Sequence, residues 1–80
     1  MRVLLFGPLR DIAGWRERSF DPPLPSLSAL RVRLMSEDER LGAALGGPGV
    51  QAAVDKVVVR GDCALAPGAE IAFLPPMSGG

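Results

Sequence analysis

Apolar residues run almost unbroken through Val3, Leu4, Leu5 and Phe6, and Gly7-Pro8 then interrupts them. A run of this kind over residues 1–6 predicts a central strand covered on both faces. Pro8 suits the first position of a helix, where its missing N–H would have no partner anyway. Leu9, Ile12 and Ala13 follow at helical spacing and Gly14 supplies a stop, giving a helix of about two turns. Residues 15–20 then alternate, with Arg16, Arg18 and Phe20 on one side and Trp15, Glu17 and Ser19 on the other. This predicts a second strand, open on one face and paired back onto the first.

Asp21-Pro22-Pro23-Leu24-Pro25 continues neither element and reads as a stiff connection. Ser26 is placed to cap a helix whose stripe is Leu27, Leu30 and Leu34, with Arg31 and Arg33 pointing elsewhere. Ser36 and Glu39 have the spacing of a capping box ahead of Leu41, Ala44 and Leu45, so this region is one bent helix or two. Gly46-Gly47-Pro48-Gly49 ends it. Residues 50–60 are strand-like, with Asp55-Lys56 as the turn of a tight hairpin that lacks the usual glycine. Ala66-Pro67-Gly68-Ala69 fits a type II turn. Residues 70–74 form the last strand, Ile71 and Phe73 on one face, Ala72 and Leu74 on the other. The order predicts a single α+β domain over residues 1–80, a mixed sheet with helices packed on one face, ending in a flexible, extended tail over 75–80.

Charge and composition narrow the chemistry. Nine basic and nine acidic residues cancel, which argues against a nucleic-acid partner. The clusters at Arg16/Arg18, Arg31/Arg33 and Glu37-Asp38-Glu39 read as solvated surface. No apolar run approaches the roughly 20 residues that cross a bilayer, and no signal-peptide layout is present, so a soluble cytoplasmic protein is expected. The chain has no histidine and one cysteine, Cys63. That inventory leaves no Ser-His-Asp or Cys-His site and no zinc site of the usual kind. No metal and no bound cofactor is expected, and Cys63 reads as a passive loop or packing residue. With 48% hydrophobic residues in 80, part of the apolar surface is available for a partner.

The remaining segment, Pro75-Pro76-Met77-Ser78-Gly79-Gly80, belongs to no regular element. The prolines end strand pairing and favour extended backbone. Six extended residues reach roughly 20 Å at about 3.3 Å each, and Met77, Ser78 and the glycines are narrow enough for a tight tunnel. Gly80 leaves its terminal carbon unshielded. Its carboxylate, ionised at neutral pH, is a poor electrophile until ATP converts it to an acyl-adenylate; sulfur attack then gives a thiocarboxylate. Every catalytic side chain can then belong to partner enzymes. A terminal Gly-Gly alone is a weak motif; its weight comes from its place after a strand and two prolines, on a domain without other chemistry.

The start "VLLFGPLRDIAG", the middle "VQAAVDKVVV", the "APGAEIAF" turn and the end "EIAFLPPMSGG" together resemble the small subunits of molybdopterin synthase, over essentially the whole chain. The resemblance implies a β-grasp, ubiquitin-like fold. It implies a sulfur carrier in molybdenum cofactor biosynthesis, whose Gly80 is adenylated by an activating enzyme that uses ATP and is loaded by a sulfur donor system. The sulfur then goes to cyclic pyranopterin monophosphate inside a large subunit, in a heterotetramer of two large and two small subunits. Gly79 and Gly80 match the family's terminal pair, Phe73 its last-strand aromatic, Phe6 its first-strand aromatic and Arg10 its short-helix arginine. Phe6 and Phe73 suit core packing as well as partner contact, and Arg10 suits a plain surface as well as an interface. Asp55 departs from the asparagine common in relatives. A carrier for thiazole synthesis or tRNA thiolation, a ubiquitin-like protein modifier and a plain β-grasp binding domain remain as alternatives.

Overall fold

The computed structural model describes residues 1–76. Strand β1 spans Arg2–Leu5, helix α1 Pro8–Ala13 and strand β2 Glu17–Ser19; helices α2 and α3 span Leu27–Glu37 and Glu39–Leu45; strands β3, β4 and β5 span Gln51–Val54, Val57–Val59 and Glu70–Leu74. The five strands form one mixed sheet in the order β2-β1-β5-β3-β4. The chain's first and last strands lie side by side in parallel at its centre, Val3 beside Ile71 and Leu5 beside Phe73. All other pairings are antiparallel.

One core sits between one face of this sheet and the helices. Val3, Leu5, Ala52, Ile71 and Phe73 from the strands meet Leu9, Leu27, Leu30, Leu34, Leu41 and Leu45 from α1, α2 and α3. The expectation that β1 is covered on both faces is corrected here. Val3 and Leu5 are buried, but Leu4 is only partly so and Phe6 is 44% exposed. With all three helices on one side, the unbroken apolar run serves a core on one face and an uncovered surface on the other.

Local signals explain the boundaries. Ser26 caps α2, its Oγ accepting from the Ala29 N–H at 3.2 Å, and Gly14 closes α1 in the left-handed conformation with its N–H on the Arg10 carbonyl. The Ser36–Glu39 capping box does not form. Asp38 breaks the helix in extended backbone and its carboxylate accepts from the Leu41 N–H at 3.1 Å, while Ser36 Oγ donates back to the Arg33 carbonyl. A carboxylate at the break is the stronger cap, because it also meets the positive end of α3.

The turn at 66–69 also differs from expectation. The bond from the Ala69 N–H to the Ala66 carbonyl closes the 66–69 turn, but Gly68 does not take the positive φ that a type II turn requires. Of the two Pro-Gly pairs, Gly49 is the one with positive φ (81°), in the turn closed by the Val50 N–H on the Gly47 carbonyl. The β3–β4 hairpin forms at Asp55-Lys56, both left-handed at φ 49° and 70°. Asp55 is held there by Glu70, whose N–H donates to Asp55 Oδ1 at 3.0 Å and whose carbonyl accepts from the Asp55 N–H at 2.8 Å.

The charge clusters are not merely solvated. The Glu37 carboxylate accepts from Arg18 of β2 at 2.7 Å and from Arg33 of α2 at 2.6 Å. The two guanidiniums also lie over the Phe20 ring, at 4.7 and 5.6 Å from its centroid. Arg31 turns inward as well, capping the Phe73 ring at 5.3 Å and donating to the Leu45 carbonyl. These contacts close the sides of a core too small to seal itself.

Candidate functional site

β5 delivers the chain to the segment that carries the expected chemistry. It is paired on both sides, with β1 as far as Phe73 and with β3 as far as Leu74. Pro75 and Pro76 then leave the sheet, because neither can donate a ladder bond; Pro75 is half-buried and Pro76 exposed. Met77, Ser78, Gly79 and Gly80 lie outside the described residues.

Beside this exit lies the face of the sheet that carries no helix. The strand registers put Leu4, Ala72, Ala53 and Val58 in one row across β1, β5, β3 and β4. Side chains two residues apart on a strand share a face, so Phe6 and Leu74 extend this row toward the exit. The opposite margin is polar: Arg2 pairs with Glu17 and with Glu70, each at 3.1 Å. The hydrogen bond and charge of Arg2 hold the Glu17 carboxyl below its usual range. An apolar patch with a charged border on a small domain is the layout of a docking surface.

Of the residues singled out in the sequence, Phe6 and Arg10 come together, lining one shallow depression with Leu4, Leu5, Arg16 and Glu17. Neither Arg10 nor Arg16 joins an ion pair among the described residues. Phe73 does not join them. Its ring is fully buried on the helix side of the sheet, so it offers no surface to a partner and its role is packing. Cys63 is half-buried in the loop before β5. The neighbouring Asp62 anchors that loop to the start of α2, accepting from Ser28 N–H at 2.8 Å and from Ser28 Oγ at 2.9 Å. Those two bonds, the backbone one first, lower the Asp62 carboxyl below its ordinary range.

Leu4, Val58, Ala72 and Leu74 are the surface residues that sequence reasoning missed; Ala53, in the same row, is buried. The signal was present in the alternation of Glu70–Leu74. Once helices are assigned to one face, whichever set does not join them must form the other.

Comparison with known proteins bears on the whole chain. The sequence profile of the ThiS family matches residues 3–80. The molybdopterin synthase sulfur carrier subunit of Escherichia coli (strain K12) is 32% identical over 80 residues, an alignment covering 100% of this chain and 99% of that protein. Among solved structures, SAMP1 from Haloferax volcanii superposes with a TM-score of 0.83 at 24% identity, covering 100% of this chain and 98% of that one. The architecture is the ubiquitin-like β-grasp, and the chain is a member of the ThiS family.

Proposed function

We propose that this protein is a sulfur carrier and the small subunit of a molybdopterin synthase, working through the carboxylate of Gly80. The observation that carries the reading is the end-to-end similarity to the Escherichia coli sulfur carrier subunit, joined to a last strand that ends in two prolines beside an uncovered apolar face. In the first step a carboxylate oxygen of Gly80 attacks the α-phosphorus of ATP on an activating enzyme, and pyrophosphate leaves. A sulfide-level sulfur from the donor system then attacks the acyl carbon, AMP departs, and a thiocarboxylate remains. Delivered into the large subunit, the thiocarboxylate sulfur attacks a carbon of cyclic pyranopterin monophosphate and displaces an oxygen substituent. Water then cleaves the acyl carbon–sulfur bond of the resulting thioester, returning the carboxylate and leaving the sulfur on the acceptor.

The division of labour follows from the side chains. The chain contains no histidine and its one cysteine lies in the loop between β4 and β5, so we assign general acid–base work to the partners. This chain supplies a docking face, comprising Leu4, Phe6, Val58, Ala72 and Leu74, with Arg10 and Arg16 at its rim. It also supplies the narrow segment Pro75, Pro76, Met77, Ser78, Gly79 and Gly80 that reaches the reacting centre. We place this chemistry in the cytoplasm, within an assembly of two large and two small subunits.

Pyrophosphate exchange into ATP, measured with the activating enzyme, tests the reading. The chain ending at Gly80 supports exchange, and a chain extended by one residue does not, because its glycine carboxyl is tied in an amide. Equal exchange by both chains contradicts the assignment to Gly80.

A further inference from the structure

Pro75 and Pro76 rest against backbone that has no side chain. Gly7, between β1 and α1, adopts φ 58° and ψ −137°, a combination close to glycine's own territory. A methyl group on Gly7 would lie 3.0 Å from Pro75 Cγ and 3.6 Å from its Cβ. Gly49, in the turn before β3, has φ 81°, and a methyl there would lie 2.9 Å from Pro76 Cβ and 3.5 Å from its Cα. Carbon atoms ordinarily meet at about 3.5–4.0 Å, so each ring is seated as closely as a missing side chain allows.

Left-handed backbone alone does not account for this. Gly14 and Gly61 have φ 81° and 73°, yet a methyl on either meets nothing within 4 Å. Gly7 and Gly49 differ in that each has a proline pressed against it. They come from separate turns, one after β1 and one before β3, the two strands that flank β5.

We propose that Gly7 and Gly49 form a paired seat that fixes the direction in which the chain leaves the domain at Pro76, and so positions the terminal carboxylate for activation. This positioning role rests on the carrier reading. Consecutive prolines make a stiff rod, with φ locked near −65° in each. Seating both rings fixes the rod's heading as well as its origin. Four further residues span at most about 13 Å, so the point and heading at which the chain leaves Pro76 bound the region its far end can reach. A misplacement of about 1 Å at a reacting centre can reduce rate a hundredfold.

Gly49→Ala tests the seat, with Gly61→Ala as the control that carries the same backbone strain into open space. Both variants are checked for folding by circular dichroism. NMR of the wild-type protein is expected to show a nuclear Overhauser effect between Gly49 Hα and Pro76 Hβ. In pyrophosphate exchange with the activating enzyme, Gly49→Ala is expected to lower kcat at least tenfold with KM within twofold, because the docking face is untouched. Gly61→Ala is expected to keep both within twofold. Equal behaviour of the two variants, a change confined to KM, or absence of the Overhauser effect overturns the proposal. Should Gly49→Ala fail to fold, Pro76→Gly, which empties the seat from the other side, must show the same fall in kcat; normal kcat there overturns it. A wild-type chain that supports no exchange contradicts the carrier reading and removes the positioning role with it, an outcome distinct from a working wild type whose Gly49→Ala variant matches the control.

Discussion

Leu5 lies directly beside Phe73 in the parallel pairing of β1 with β5, and the two are 2% and 0% exposed. Strand β1 therefore anchors β5, the strand that leads out to Pro75 and Pro76. Phe73→Ala should cost about 3–5 kcal/mol, the usual cost of deleting a buried aromatic. That is a large share of the roughly 5–15 kcal/mol that holds a small domain together. Urea denaturation should show a much lower midpoint, and a shift below about 1 kcal/mol would contradict the packing described for Phe73.

Phe6 gives the complementary prediction. At 44% exposed on the uncovered face, it contributes far less to the core. Phe6→Ala should lower stability by about 1 kcal/mol or less and weaken binding to the large subunit about tenfold, the effect of removing an aromatic anchor at an interface. Calorimetric titration against the large subunit measures this; unchanged affinity would remove Phe6 from the docking face.

The β3–β4 turn carries a removable strain. Lys56 sits at φ 70° without a glycine's freedom, whereas Asp55 is compensated by its two bonds with Glu70. Lys56→Gly should stabilise the domain by about 0.5–1 kcal/mol, the left-handed penalty less the added freedom of the unfolded chain. At about 4–8 °C per kcal/mol for a domain of this size, Tm should rise by several degrees. A fall in Tm would show that the lysine does something its backbone does not reveal.

Glu37 predicts a pH dependence. Hydrogen bonds from Arg18, then Arg33, hold its carboxyl down to about 2 from an ordinary 4.5. A carboxyl with a lowered folded pKa stabilises fully above its unfolded pKa and loses that contribution as pH falls through the folded one. The pairing should therefore weaken between about pH 4.5 and 2. Because the Glu37 side chain is 32% exposed, screening limits the contribution to about 1 kcal/mol at neutral pH. Glu37→Gln should lose that amount at pH 7 and converge with the wild type near pH 2, as read by urea denaturation across the range.

The sequence revealed the fold where a residue's local signal and its tertiary role agree. Pro8, Gly14 and Ser26 are read correctly because capping geometry depends only on near neighbours. Phe6 and Phe73 looked alike as aromatics in apolar strands; which one faces the helices is a matter of sheet register, which spacing within one strand does not contain. Asp38 competed with Ser36 for the same cap, and the break in the helix decided between them. Likewise Pro48-Gly49 and Pro67-Gly68 are equal as dipeptides, and contact with Pro76 distinguishes Gly49. The seat for the prolines was illegible for that reason: it joins residues from three places in the chain.

The central claim is that Gly80 carries sulfur. Intact mass spectrometry of the chain, after incubation with the activating enzyme, ATP and a sulfur donor, tests it most directly. The expected result is a mass increase equal to replacing one oxygen by sulfur, localised by fragmentation to Gly80. An unchanged mass under conditions where the activating enzyme is competent, or Gly80 joined through an amide bond to lysines of other proteins, would contradict it.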